Sequence, residues 1–208
     1  LDVLVADRRF DEAYGMFQQV AEKSGVVATL RAEAYTHMST IRRSQGRIAE
    51  ALALSQKALY VDARFAPALA DHGMNLGWSG DFQKGAEYLE LAIRANPRSA
   101  IHPWWLGIVL RAEDQREKAL GYFRLALQKI DNDNTMIGKD AKRMARARLF
   151  YELALTYEQL GNKGQALSYL GQGIALDNTL PLFLEYNVKN YDAFPSLKNN
   201  AQFLSLLP

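Results

Sequence analysis

Three histidines, one acidic run and one basic stripe are the places where residue type and spacing could support chemistry. His37, His72 and His102 are far apart and show neither HxxxH nor HExxH spacing, the patterns by which a helix offers two imidazoles to one metal. The run DNDNT at 131–135 has the opening of a calcium-binding loop. Met136 then stands where that loop needs glycine, and Lys142 where it needs a bidentate glutamate, so calcium is not expected. Lys139, Lys142, Arg143 and Arg146 follow i, i+3, i+4, i+7 spacing and share one helix face. That stripe reads as a solvated face or as a contact for an acidic protein. Nucleic acid is disfavoured, because it would call for basic clusters interleaved with aromatics elsewhere in the chain. There is no cysteine nucleophile, no GxxxxGK[ST] phosphate loop and no GxSxG elbow. GNKG at 161–164 is a turn between helices. Carboxylate pairs such as Asp11/Glu12 and Glu113/Asp114 sit at turns and helix starts, where they favour the helix dipole. The expectation is a chain that is not an enzyme, with no catalytic residues, no cofactor and no metal.

The elements that position these residues repeat. Segments 32–65, 66–99 and 100–133 align residue for residue at a period of 34. Small residues recur at Ser39, Gly73 and Gly107, then at Ala51, Gly85 and Ala119, then at Ala58, Ala92 and Ala126. Turn residues recur at Gly46, Gly80 and Asp114, and large apolar ones at Leu59, Ile93 and Leu127. A further copy over 147–180 brings Ala154, Gly161, Ala166, Gly173 and Ile174 into the same places. Small residues let two helix backbones approach closely, while apolar residues at helical spacing fill the space between pairs. One hairpin cannot bury its apolar face alone, so neighbours must stack. Residues 8–23 read as the second helix of an earlier copy, with Phe10, Ala13 and Phe17 in register. Residues 134–146 interrupt the period, first as a loop and then as an upstream extension of the next helix. Residues 180–190 and 199–206 read as capping helices, whose Phe203, Leu204 and Leu207 are expected to be exposed and to offer a route to a homodimer.

The pattern resembles the tetratricopeptide repeat, W-x2-L-G-x2-Y…A-x3-F…P. It is clearest at 66–99 (Gly73, Leu76, Gly80, Phe82, Gly85, Leu89, Ala92, Pro97) and at 100–133 (Leu106, Gly107, Ala119, Phe123, Ala126). Ala63, Asp131 and Asn178 replace the final proline, His72 a leucine, and Pro103 the tryptophan. The resemblance implies an all-α, right-handed superhelix (a solenoid) of antiparallel helix pairs, one array over 1–208. The first helix of each pair would line a concave groove. Carried over by register, the groove positions include Arg43, Met74, Trp78, Trp104, Ile108, Arg111, Tyr151, Leu155 and Glu158. Register also turns His72 into the helix–helix core.

Within IHPWWLG at 101–107, Trp104 faces the groove and Trp105, about 100° around the helix, faces elsewhere. A groove of Trp, Met and Tyr with Arg nearby has the composition of a protein-binding hot spot. Trp78 could instead pack on the next repeat, and the C-terminal segment could fill the space by Trp104. The chaperone type of carboxylate clamp needs Lys and Asn where this chain has Thr36/Thr40, Ala70/Met74, Trp104/Ile108 and Tyr151/Leu155. The expectation is a protein-interaction scaffold that takes a partner peptide or helix. The alternative is a regulatory or sensor module of a larger signalling protein. PWWLG and the ending YDAFPSLKNNAQFLSLLP resemble helical arrays of some bacterial transcription regulators and nucleotide cyclases. The aromatic groove also admits a carbohydrate- or lipid-handling repeat protein.

Bulk properties agree with a partner-binding role. Net charge of +2 gives no strong pull toward polyanions, and no apolar run approaches the ~20 residues of a membrane span. The chain opens on Leu1 with neither an initiator Met nor a signal-like pattern, which reads as a fragment or processed chain.

Overall fold

The computed structural model describes residues 2–133 and 138–208. The described residues form eleven α-helices and no strand. None of the helices is long and apolar enough to cross a membrane. The chain divides into two compact units, Leu1–Pro97 and Arg98–Pro208.

The first unit holds α1 (Asp2–Glu22), α2 (Ala28–Ser44), α3 (Ile48–Val61), α4 (Ala66–Trp78) and α5 (Phe82–Ala95). α2 pairs with α3 and α4 with α5, and α4 rests on both α2 and α3. α1 lies against α2, with Tyr14 and Phe17 packed on buried Ala21, Ala34, Met38 and Leu54. The small residues do what their recurrence implied. A Cβ on Gly73 would stand 2.7 Å from the Gly85 carbonyl oxygen, and one on Gly85 would stand 2.8 Å from the Gly73 carbonyl oxygen. The backbones of α4 and α5 therefore touch with no room for a side chain. α5 stops at Ala95, just before Asn96 and Pro97, because proline cannot continue the helix.

The second unit holds α6 (Ile101–Ala112), α7 (Arg116–Lys129), α8 (Lys139–Gln159), α9 (Lys163–Leu176), α10 (Leu180–Tyr191) and the short α11 (Ala201–Leu204). α6 pairs with α7 and α8 with α9, and α8 also touches α6 and α7. Phe123 of α7 fills the space over Gly107, where a Cβ would come within 2.5 Å of its ring. α8 begins at Lys139, so residues 139–146 do lengthen that helix upstream. The calcium-like run falls partly on 134–137, outside the described residues. Its described carboxylates are engaged by protein: Asp131 by Arg146 at 2.9 Å, and buried Asp133 by the Ala100 N–H at 2.6 Å.

The turns inside the four helix pairs share one chemistry. Residues 47, 81, 115 and 162 each donate a backbone N–H to the carbonyl five residues back, at 2.8–2.9 Å. The residue before each donor is left-handed. Gly46, Gly80 and Gly161 meet that need without strain, whereas Asp114 adopts φ 68° with a side chain in place.

The C-terminal segment departs from expectation. Phe203 is not exposed: it is fully buried against Phe194, and Leu207 is partly covered. After α10 the chain turns back through Asp192 and Phe194, both left-handed, and seats Phe194 and Leu197 among Tyr151, Leu180 and Leu184. Burying each phenylalanine contributes about 1.5–3 kcal/mol toward holding a segment that has little regular structure.

Candidate interaction site

In the first unit the groove register places Thr36, Thr40 and Arg43 along α2 and Ala70, Met74 and Trp78 along α4. Met74 is buried, and Trp78 stands 64% exposed at the end of its helix. Arg43 is committed to the protein. Its guanidinium is 2.5 Å from Asp71 and 2.8 Å from the Asn75 carbonyl oxygen, and its side chain is largely covered. Asp71 is itself almost fully buried. It also accepts from Ser39, Thr40 and Asn75, and Asn75 goes on to reach Ser55. Ser55 meets His72 Nδ1 at 2.8 Å, and the Tyr88 ring stands edge-on to the imidazole. His72 thus occupies the helix–helix core that its register implied. Burial lowers its pKa below the ordinary histidine value, with partial compensation from the Asp71 charge. His37 stacks on Phe17 at the surface of the same unit.

In the second unit Trp104, Ile108 and Arg111 run at i, i+4, i+7 along α6, and Tyr151, Leu155 and Glu158 do the same along α8. Each set therefore shares one helix face. Arg111 crosses between the helices to Glu152 at 2.7 Å, both side chains being about five-sixths covered. Burial pushes the Glu152 carboxyl above the usual range, and Arg111 pulls it back. The half-buried Trp104 directs its indole N–H at the same carboxylate, in a geometry too poor for a full hydrogen bond. Tyr151 is buried edge-on between Phe183 and Phe194, and that burial raises its phenol well above the ordinary value.

Four of the groove residues, Arg111, Tyr151, Leu155 and Glu158, line one cleft of about 340 Å³. Its opposite wall is Asn187 of α10 and the returning segment 192–195. Glu158 is 95% buried, and its Oε1 accepts the backbone N–H of Ser196 at 2.8 Å. Trp104 and Ile108 do not line this cleft.

The basic stripe is mostly occupied. Lys142 donates to the Asp131 carbonyl oxygen, Arg146 pairs with the Asp131 carboxylate, and Arg143 lies 3.2 Å from Asp140. These contacts fasten the end of the preceding hairpin to α8, and Lys139 is exposed. Among the described residues no group of three His, Asp or Glu side chains could hold a metal ion.

Two features escaped the sequence reading. Asp71 and Asn75, one helical turn apart, are a buried polar pair that the recurrence of small residues does not mark. The returning segment had no local signal, because its place is set by contacts made by Phe194 and Ser196 far along the chain.

The Tetratricopeptide repeat family model matches residues 147–180. No curated protein matches the chain by sequence. Several solved structures share the fold. TTC0263, a thermophilic TPR protein of Thermus thermophilus, is 20% identical with a TM-score of 0.68, over 88% of this chain and 91% of that one. PilF of Pseudomonas aeruginosa is 22% identical with a TM-score of 0.62, over 84% and 80%. BtubC (BKLC) from P. vanneervenii is 15% identical with a TM-score of 0.67, over 86% and 77%. At these identities the likeness concerns the fold. Residues 147–180 are a tetratricopeptide repeat, and the all-α fold of stacked helix pairs is that of the tetratricopeptide-repeat solenoid proteins.

Proposed function

We propose that the chain is a non-catalytic protein-interaction scaffold that receives an extended peptide or a helix on the faces of its first helices. A fold of stacked helix pairs presents such faces as continuous surfaces suited to partner segments. One observation carries the reading: Arg111, Tyr151, Leu155 and Glu158, chosen by repeat register alone, converge on a single cleft. In the first unit the exposed Trp78 is the side chain placed to anchor a partner, an amphipathic aromatic of the kind that dominates binding energy. Arg43 and Arg111 act there through position and shape, since their charges are answered by Asp71 and Glu152. A homodimer through the C-terminal helices would use Leu182, Tyr186 and Leu204, exposed apolar side chains of that end. The regulatory-module alternative concerns what the scaffold is attached to and uses the same faces.

The test is selection from a displayed random-peptide library on three immobilised proteins: wild type, Trp78→Ala and Leu155→Glu. Circular dichroism first establishes that both variants fold. Sequences enriched by wild type and lost with either variant support the reading. Identical enrichment on all three would remove both faces as binding surfaces.

A further inference from the structure

We propose that the cleft beside Glu158 is a pocket for a basic side chain, lysine or arginine, of the bound partner. This deepens the scaffold reading and rests on it for the partner being a peptide.

The charges around the cleft decide its preference. Arg111 is paired with Glu152, and Asp192 with Lys198. Glu158 has no cation: among the described residues its hydrogen-bond partner is the neutral Ser196 N–H. Glu158 is 95% buried and its hydrogen-bond donor is neutral, so a cation entering the cleft would meet a carboxylate with no counter-charge of its own. The ion pairs cancel, so the cleft carries one unbalanced negative charge.

The remaining walls fit the rest of a basic side chain. Leu155 and the edge of the Tyr151 ring offer apolar surface for the methylene stem. Long basic side chains bury their stems on apolar surface of this kind. Gln159 and Asn187 line the same space with amides. A cleft of about 340 Å³ has room for one such side chain and not for a folded element. An acidic side chain would meet Glu158 directly, and an apolar one would leave that carboxylate desolvated and unpaired, so both are selected against.

The probes are the blocked amino acids N-acetyl-arginine amide, N-acetyl-lysine amide, N-acetyl-norleucine amide and N-acetyl-glutamate amide. Each is titrated into the isotope-labelled full chain and followed by amide NMR shifts. The expected result is saturable shifts clustered at 155–159 and 187–197 for the two basic probes only, with dissociation constants of about millimolar, as suits a single anchor. Glu158→Gln, which keeps an acceptor for the Ser196 N–H, is expected to weaken them about tenfold or more. Gln159→Lys, at an exposed position on the rim, is expected to abolish them by placing a cation in reach of Glu158. Equal binding of the norleucine or glutamate probe, shifts outside the cleft, or undiminished affinity in both variants would overturn the proposal. Because the probes need no partner, failure here leaves the scaffold reading standing. Failure of the peptide selection alongside positive probes would leave a cation pocket without a peptide role.

Discussion

Replacing Gly73 by alanine tests the close approach of α4 and α5 with a single methyl group. In an open helix interior the change is favourable, because glycine is about 0.8–1.0 kcal/mol worse than alanine there. At Gly73 the new Cβ meets the Gly85 carbonyl oxygen at 2.7 Å, Leu89 Cγ at 2.9 Å and the Leu89 backbone nitrogen at 3.1 Å. Two of these three neighbours are backbone and cannot rotate away, so the helices must separate by about half an ångström. Overpacking of this kind costs about 1–3 kcal/mol. With the gain in helix propensity set against it, the net loss is up to about 2 kcal/mol. Gly15→Ala in α1 and Gly121→Ala in α7 are the matched controls, since nothing lies within 4 Å of a Cβ at either position. Each is expected to stabilise the protein by about 0.5–1 kcal/mol. Urea unfolding followed by circular dichroism reads all three. The same chemical change should therefore move the midpoint in opposite directions. Gly73→Ala as stable as the controls would mean that the helices are not in backbone contact and that the recurrence of small residues has another cause.

Four further outcomes are expected. Folding stability should be full above about pH 6.5 and fall as pH drops below it, because His72 takes its proton more readily when unfolded than when buried beside Ser55 and Tyr88. Unfolding free energies from pH 7.5 to 5 should decline less steeply in His72→Gln than in wild type, and parallel curves would refute this. Arg111→Met should destabilise by about 2–4 kcal/mol by leaving the covered Glu152 carboxylate without its partner, and Arg111→Met/Glu152→Met should recover most of that loss in thermal unfolding. Asp114→Gly should raise stability by roughly 0.5–1 kcal/mol by relieving the left-handed backbone, measured by urea unfolding against wild type. Phe194→Ala should cost about 3–5 kcal/mol and loosen amide protection at Tyr151 and Leu184, as hydrogen exchange would show.

The helix pairs were legible because their cause is local and periodic. Recurring at the period, Gly73 and Gly85 mark close backbones and Gly107 the seat of the Phe123 ring, and Gly46, Gly80 and Gly161 mark left-handed turns. Asp114 was readable as a turn only through its place in the period. Register fixes the face of a helix and so puts Arg111, Tyr151, Leu155 and Glu158 beside one cleft, but it selects Trp104 and Ile108 equally, and they do not line that cleft. What register cannot give is the state of each side chain. Register places Arg43 and Arg111 in the groove and is silent on their pairing, because their partners Asp71 and Glu152 come from a different helix pair. Phe203 read as exposed because an apolar helix at a chain end looks the same whether it awaits a partner or folds back on its own neighbours.

The two arginine pairs have a consequence for how the molecule is assembled in energy. Arg43 reaches Asp71 and Arg111 reaches Glu152 from equivalent repeat positions, each joining the first helices of two consecutive hairpins. One such latch lies inside Leu1–Pro97 and the other inside Arg98–Pro208. The cooperative element is then a latched pair of hairpins rather than the single repeat on which the period is counted. A cut at 97/98 leaves both latches whole, whereas a cut between Arg43 and Asp71 strands a buried carboxylate on one side. Shortened versions of this chain should accordingly gain or lose order two hairpins at a time.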